Sequence, residues 1–258
     1  MKYYIVADIH GFYDELIDAL TEKGFFDDAS PHKLIICGDI FDRGKKCIEL
    51  QNFIVQLIVK NRIILIRGNH EDLLDRFISD GCGLSTSMES TWIQNGTIST
   101  VMQLTGLSCS EICIQPHKMK ELMMNTPYYS SIRPLLLNYF ETENYIFVHG
   151  WIPAYRDKYP GGMYKYHYIK NWRESNDVEW CKARWYNGMD AAHQGVLENS
   201  KTIICGHWHC SYGHSIIEGR GKEYGDNADY SPYYGKGIIG IDACTALTHR
   251  INCLIIED

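Results

Sequence analysis

Positive charge is scarce in this 258-residue chain: 25 Lys and Arg stand against 32 Asp and Glu, a formal net charge of −7. That deficit argues against a nucleic-acid polymer or an anionic membrane as partner, since both demand clustered cations. A phosphorylated substrate stays open, because bound metal ions reverse the local sign of a site whatever the total charge. Long apolar runs are missing too. None approaches the roughly 18 residues of a membrane span, and Asp8 breaks the first run too early for a signal-peptide core. The ten cysteines contain no CxxC pair, which disfavours a structural zinc knuckle. Free thiols in a reduced, cytoplasmic compartment are the expectation. With 45% apolar and 22% charged residues, collagen-like, low-complexity and charge-driven disordered chains are excluded.

What is present is a set of short apolar, β-branched runs, each ending abruptly in a polar residue. Tyr3 to Ala7 meets Asp8, Leu34 to Cys37 meets Gly38 and Asp39, and Ile63 to Ile66 meets Arg67, Gly68 and Asn69. Tyr145 to Val148 meets His149, and Thr202 to Cys205 meets Gly206 and His207. Continuous apolar runs of this length read as buried strands. Helical faces separate the first three: Tyr13, Leu16, Ile17 and Leu20, then Cys47, Leu50, Ile54, Leu57 and Ile58. Strand–helix–strand alternation predicts an α/β architecture. Ligands of such sheets bind beyond the carboxyl ends of the strands, where these runs deliver Asp, Asp, Asn, His and His. One such residue reads as a cap or a turn; five, all of metal-ligand type, do not.

A single domain over 1–258 is expected, with a mainly helical insertion at about 72–140 lying beside the sheet. Residues 151–186, rich in Tyr and Trp, read as a long irregular connection, and 219–237 as another loop. Gly237 to Glu257 reads as two strands with a turn near Leu247–His249.

The chemistry sits at the strand ends. Asp8-Ile9-His10-Gly11 places two ligand types at i and i+2. Gly38-Asp39-Ile40-Phe41-Asp42-Arg43-Gly44 adds two carboxylates and a guanidinium. Gly68-Asn69-His70-Glu71 adds an amide oxygen and an imidazole, Val148-His149-Gly150 an imidazole, and Gly206-His207-Trp208-His209 two more. Carboxylate, amide and imidazole without thiolate suit manganese, iron or zinc. Two ions about 3.5–4 Å apart need a bridging carboxylate and terminal ligands.

This ordered set resembles the calcineurin-like metallophosphoesterases. The unbroken Asp42-Arg43-Gly44 and the run Leu65 to Glu71 resemble the phosphoprotein phosphatase branch, including bacterial and phage serine/threonine phosphatases and symmetrical diadenosine tetraphosphate hydrolases. The resemblance implies a four-layer sandwich, two mixed β-sheets face to face with helices outside. It implies two divalent metal ions, manganese foremost, with iron or zinc as alternatives. One would take Asp8, His10 and Asp39. The other would take Asp39, Asn69, His149 and His207, with Asp39 bridging. His209 resembles the second His of the wider superfamily's GHxH, a ligand of the first metal. A hydroxide between the ions would attack phosphorus, with His70 as general acid, Asp42 orienting it, and Arg43 binding phosphate. Arg184 best matches a second phosphate-binding arginine, with Arg173 behind it.

The bland readings are kept beside these. Arg67 and Glu71 are read as supports, and Arg67 as the partner of a carboxylate below the site. Cys37 and Cys205 read as small buried hydrophobes, Cys210 as a thiol nearer the surface, and Asp242 as either a support or a turn carboxylate. His167, His193, His214 and His249 carry no motif. The favoured activity is hydrolysis of phosphoserine or phosphothreonine in protein or peptide. Its rivals are a symmetrical dinucleoside polyphosphate hydrolase, favoured if Trp151, Tyr155, Tyr164, Trp172 or Trp185 stacks a base, and a catalytically silent metal-binding scaffold.

Overall fold

A computed structural model describes residues 1–80, 93–158 and 164–258. Five strands, β1 (Lys2–Val6), β2 (His32–Cys37), β3 (Ile63–Ile66), β4 (Leu136–Leu137) and β12 (Leu254–Glu257), form one sheet in the order β12, β1, β2, β3, β4. β1 to β4 run parallel, and β12 closes the edge antiparallel. A second sheet takes β5 (Phe140–Glu141), β6 (Tyr145–Phe147), β9 (Thr202–Cys205), β10 (Tyr233–Gly235) and β11 (Ile238–Gly240) in the order β10, β11, β9, β6, β5. Its inner three strands are parallel and its edges antiparallel, so both sheets are mixed.

The period-2 alternation of each strand sorts its side chains into layers. Tyr3, Ile5, Ala7, Ile35, Cys37 and Ile66 from the first sheet meet Phe147 and Ile204 from the second in one apolar layer. Their neighbours Tyr4, Val6, Leu34, Ile36 and Leu65 face the other way, onto helices α1 (Tyr13–Glu22) and α2 (Cys47–Val59). Ile146, Val148, Ile203 and Cys205 face outward from the second sheet. Helices α7 (Asp177–Ala183) and α8 (Gly188–His193) cover them. Burial on both faces is why these strands read as unbroken apolar runs. Each fully buried Ile or Leu contributes roughly 1.5–3 kcal/mol. The result is the expected four-layer sandwich.

The helical insertion begins with α3 (Asn69–Asp80) and continues through α4 (Thr97–Thr105), α5 (Cys109–Ile114) and α6 (Pro116–Met124). Its Phe77, Val101, Ile112 and Met123 share one apolar cluster with α1, α2 and the first sheet. Residues 81–92 of this stretch lie outside the described residues.

Two local expectations are corrected. Residues 151–186 hold an antiparallel ribbon, β7 (Ala154–Lys158) with β8 (Tyr164–Tyr168), followed by α7, whose N-terminus is closed by an Asn176–Glu179 capping box. Tyr233–Gly235, expected as loop, pairs as β10. The two strands expected between Gly237 and Glu257 are present, β11 in the second sheet and β12 in the first, with a short helix at Thr245–Thr248 where the turn was expected. Among the described residues no helix is long and apolar enough to cross a membrane.

Candidate metal centre

β1, β2, β3, β6 and β9 all end at one cleft, where the two sheets present their carboxyl edges. Beyond each end the chain turns sharply. Asp8 (φ 52°), His10 (52°), Asp39 (54°), Asp42 (75°), Arg43 (67°) and His207 (67°) all adopt the left-handed region. Such backbone costs on the order of 1–3 kcal/mol per residue and persists only where surrounding structure over-determines it. Two glycines allow the approach. A Cβ on Gly68 would lie 2.2 Å from Asp39 Oδ1, and one on Gly206 would lie 2.0 Å from Asp8 Oδ2.

Asp39 is the centre of the arrangement. Its Oδ2 lies 3.7 Å from both His10 Nε2 and His70 Nε2. Its Oδ1 lies 3.2 Å from His149 Nε2. Two groups of donor atoms therefore share this carboxylate: His10, Asp39 and His70, and Asp39, His149 and His207. All but half-buried His207 are buried. The backbone around Asp39 is held by Glu71, which accepts from the N–H groups of Asp39 (3.0 Å), Ile40 (2.9 Å) and Gly68 (2.7 Å).

The donor set fits a divalent cation. His149 Nδ1 is 2.8 Å from the Cys37 carbonyl, which fixes its proton there and turns the Nε2 lone pair towards Asn69 Oδ1 (2.7 Å) and Asp39 Oδ1. Three electron-pair donors so placed need a shared proton or a cation. Burial lowers the affinity of His149 for a proton, but the Asp39 carboxylate outweighs it and lifts its pKa to about 10. His207 goes the other way: burial first, then neighbouring His149, push it down to about 3. Burial pulls Asp39 up, yet His149 and His70 together hold it well below the usual carboxylate range.

Asp42 and His70 form a second unit. His70 Nδ1 donates to Asp42 Oδ2 at 2.7 Å. Burial disfavours the imidazolium, but Asp39 and Asp42 raise the His70 pKa above its ordinary value. Thr97 donates to Asp42 Oδ2 (2.9 Å), and Thr100 donates to Oδ1 (2.7 Å) while accepting from the Asp42 N–H (3.0 Å). Exposed Arg43 spans the cleft, its Nη1 donating to His10 Nε2 (3.0 Å) and its Nη2 to His70 Nε2 (3.3 Å).

The Asp8 carboxylate accepts the His207 N–H, at 2.9 Å and 3.1 Å from its two oxygens, and His70 lies beside His10 and Asp39 in one donor group. His209 belongs to neither donor group: Nδ1 is 2.8 Å from Ser211 Oγ, and Nε2 is 2.8 Å from the Tyr224 hydroxyl. Arg184 is buried in a bidentate pair with Asp72 (2.6 and 3.1 Å) and also donates to Asn138 (2.9 Å). Arg173 pairs with Glu141 and Glu198. Arg67 pairs with Asp72 and Asp75, as read. Asp242 is a turn carboxylate, accepting from the Cys244 N–H at 2.7 Å, and burial lifts its pKa to about 6. Thr97 and Thr100 were absent from the sequence reading; nothing local marks them, since their partner lies more than 50 residues away.

The fold, the strand-end ligands and the shared carboxylate define a metallophosphoesterase. The chain matches the calcineurin-like phosphoesterase family over residues 1–211 and belongs to it. Its relatives include the asymmetrical bis(5'-nucleosyl)-tetraphosphatases of Halalkalibacterium halodurans, 27% identical over 51% of this chain and 52% of that protein, and Oceanobacillus iheyensis, 27% identical over 60% and 58%. The symmetrical bis(5'-nucleosyl)-tetraphosphatase of Buchnera aphidicola is 37% identical over 28% of this chain and 24% of that protein. The chain thus spans about half the length of the first two relatives. In fold, it is similar to the cold-active protein-tyrosine phosphatase of a Shewanella species, with a TM-score of 0.57, 15% identity, and coverage of 100% of this chain and 75% of that one.

Proposed function

We propose that the protein is a metal-dependent phosphoester hydrolase acting on dinucleoside polyphosphates. The sharing of Asp39 between two donor groups carries the hydrolase reading. Relatives that are bis(5'-nucleosyl)-tetraphosphatases, of both cleavage types, support the substrate class. Asp8, His10 and Asp39 would hold one ion, and Asp39, Asn69, His149 and His207 the other, which leaves His70 Nε2 free of the metals. Manganese, iron or zinc suits these donors. When bound, two such ions lower the pKa of water and draw charge from the phosphoryl oxygens.

The chain's own residues do the rest. Arg43 binds phosphate oxygens through its planar fork, moving off the two imidazoles as substrate enters. Asp42, fixed by Thr97 and Thr100, holds the His70 proton on Nδ1. That orients Nε2 towards the cleft, where a protonated His70 delivers a proton to the departing oxygen. Glu71 keeps the Asp39 turn rigid, so charge stabilisation needs no reorganisation.

A second reading, a serine/threonine protein phosphatase, is favoured by the His70–Asp42 pair. An alkoxide leaving group needs a proton far more than a nucleotide phosphate does. Parallel turnover of diadenosine tetraphosphate and a phosphothreonine peptide by manganese-loaded protein, with a chelated control, tests both. Faster cleavage of the dinucleotide is expected, and two molecules of ADP, or ATP with AMP, would identify the cut. Dominant peptide turnover would overturn the proposal.

A further inference from the structure

Among the described tryptophans, the burial pattern separates Trp185 from the rest. Trp151, Trp172 and Trp180 are at most 2% exposed. Trp151 donates to the Val196 carbonyl, Trp172 donates to Glu198, and Trp180 stacks on Tyr139 at 5.5 Å. These are core residues of the second sheet's helical layer. Trp208 is half-buried between His207 and Tyr212. Trp185 is 41% exposed, and its ring lies 5.8 Å from the His207 ring at 84°. An indole face thus stays open to solvent beside a residue of the candidate metal centre.

The segment that carries it is rigid. One residue earlier, Arg184 is clamped by Asp72 and Asn138. One residue later, Tyr186 is buried, its hydroxyl donating to the Ala154 carbonyl at 3.0 Å. The Ala183 carbonyl accepts from the Trp151 N–H, and the backbone of Ala183 and Arg184 leaves no room for a Cβ on Gly150, next to His149. An exposed aromatic held on so fixed a backbone, beside a phosphate-handling cleft, is pre-organised to receive a flat π-system.

We infer that Trp185 is the stacking platform for a nucleobase of the substrate, one phosphate–ribose step from the cleft held by Arg43 and Asp39. The inference rests on the dinucleoside polyphosphate reading and deepens it. It assigns the site a preference for nucleotides over base-free phosphates of equal phosphate content. Stacking tolerates any base, so a preference among bases is not part of it.

The probes are α,β-methylene-ADP and methylenediphosphonate, two non-hydrolysable ligands that differ by the nucleoside. Binding of each to manganese-loaded protein is measured by calorimetry, for wild type, Trp185→Leu and Trp185→Phe. Wild type is expected to bind the nucleotide about tenfold or more tighter than the diphosphonate. Trp185→Leu should erase most of that ratio, and Trp185→Phe should keep most of it. Equal affinities in wild type, a nucleotide preference that survives in Trp185→Leu, or a parallel fall for both ligands would each overturn the assignment, the last by making Trp185 a prop for His207. A nucleotide preference lost in Trp185→Leu, together with no cleavage of diadenosine tetraphosphate by wild type, would sink the dinucleoside polyphosphate reading and leave the platform standing.

Discussion

The sheet of β12, β1, β2, β3 and β4 brings Asp8, His10, Asp39, Asp42, Arg43, Asn69 and His70 to the cleft, whereas the sheet of β10, β11, β9, β6 and β5 brings His149 and His207. The first side also carries its own bracing, through Glu71 beneath Asp39 and through Thr97 and Thr100 around Asp42. The second side offers surface instead: exposed Trp185 stands beside its histidine. On the proposed reading, one wall holds the acid, the guanidinium and the shared carboxylate, while the other completes the ligand set and faces the rest of the substrate. Chemistry and selectivity would then be divided between the two sheets, which would let one vary without dismantling the other.

The division is most exposed at Asp39, where the two walls meet. Asp39→Asn should empty both donor groups together, lowering kcat by about 10³-fold or more. Elemental analysis after gel filtration checks it, and two tightly retained ions would mean that the walls bind metal independently. A pair of arginines tests the first wall against the interior next. Arg184→Met should cost about 2 kcal/mol in denaturant unfolding by removing one of the two guanidinium partners of half-buried Asp72, with the inhibition constant of free phosphate unchanged. Arg43→Lys should do the reverse, raising that inhibition constant about tenfold at little cost in stability. Opposite results would exchange their roles. The smallest effect is expected at Thr100, which touches Asp42 and no candidate metal ligand. Thr100→Val should slow turnover of diadenosine tetraphosphate by about tenfold, and Thr100→Ser should restore most of it. An equal loss in both variants would assign the effect to packing rather than to the hydroxyl.

How much of this was legible beforehand differs between backbone and side chains. The five strands that end at the cleft were readable because each is buried on both faces and so runs apolar up to a polar stop. Their ligands followed from that stop, as at Ile66 before Arg67-Gly68-Asn69. The β7–β8 ribbon was not readable: exposed Tyr155 and Tyr168 alternate with charges, and the segment's Pro and Gly suggested irregular chain. At His209 the spacing from His207 suits a second ligand, while its 2.8 Å partners Ser211 and Tyr224 carried no mark in the sequence.

By itself, the sequence determined the order of the strand-end candidate ligands, the chemistry they offer and the membership of the chain in a metallophosphoesterase family, because residue type and strand-end position are local properties. Only the tertiary structure decided which candidates face the cleft. It turned Arg184 onto Asp72, 112 residues away, and Thr100 onto Asp42, 58 residues away. It left Trp185 in the open while burying Trp151 and Trp172. A side chain's partner is set by the packing of layers distant in sequence, and an arginine, a threonine or a tryptophan carries no local mark of which partner that packing will supply.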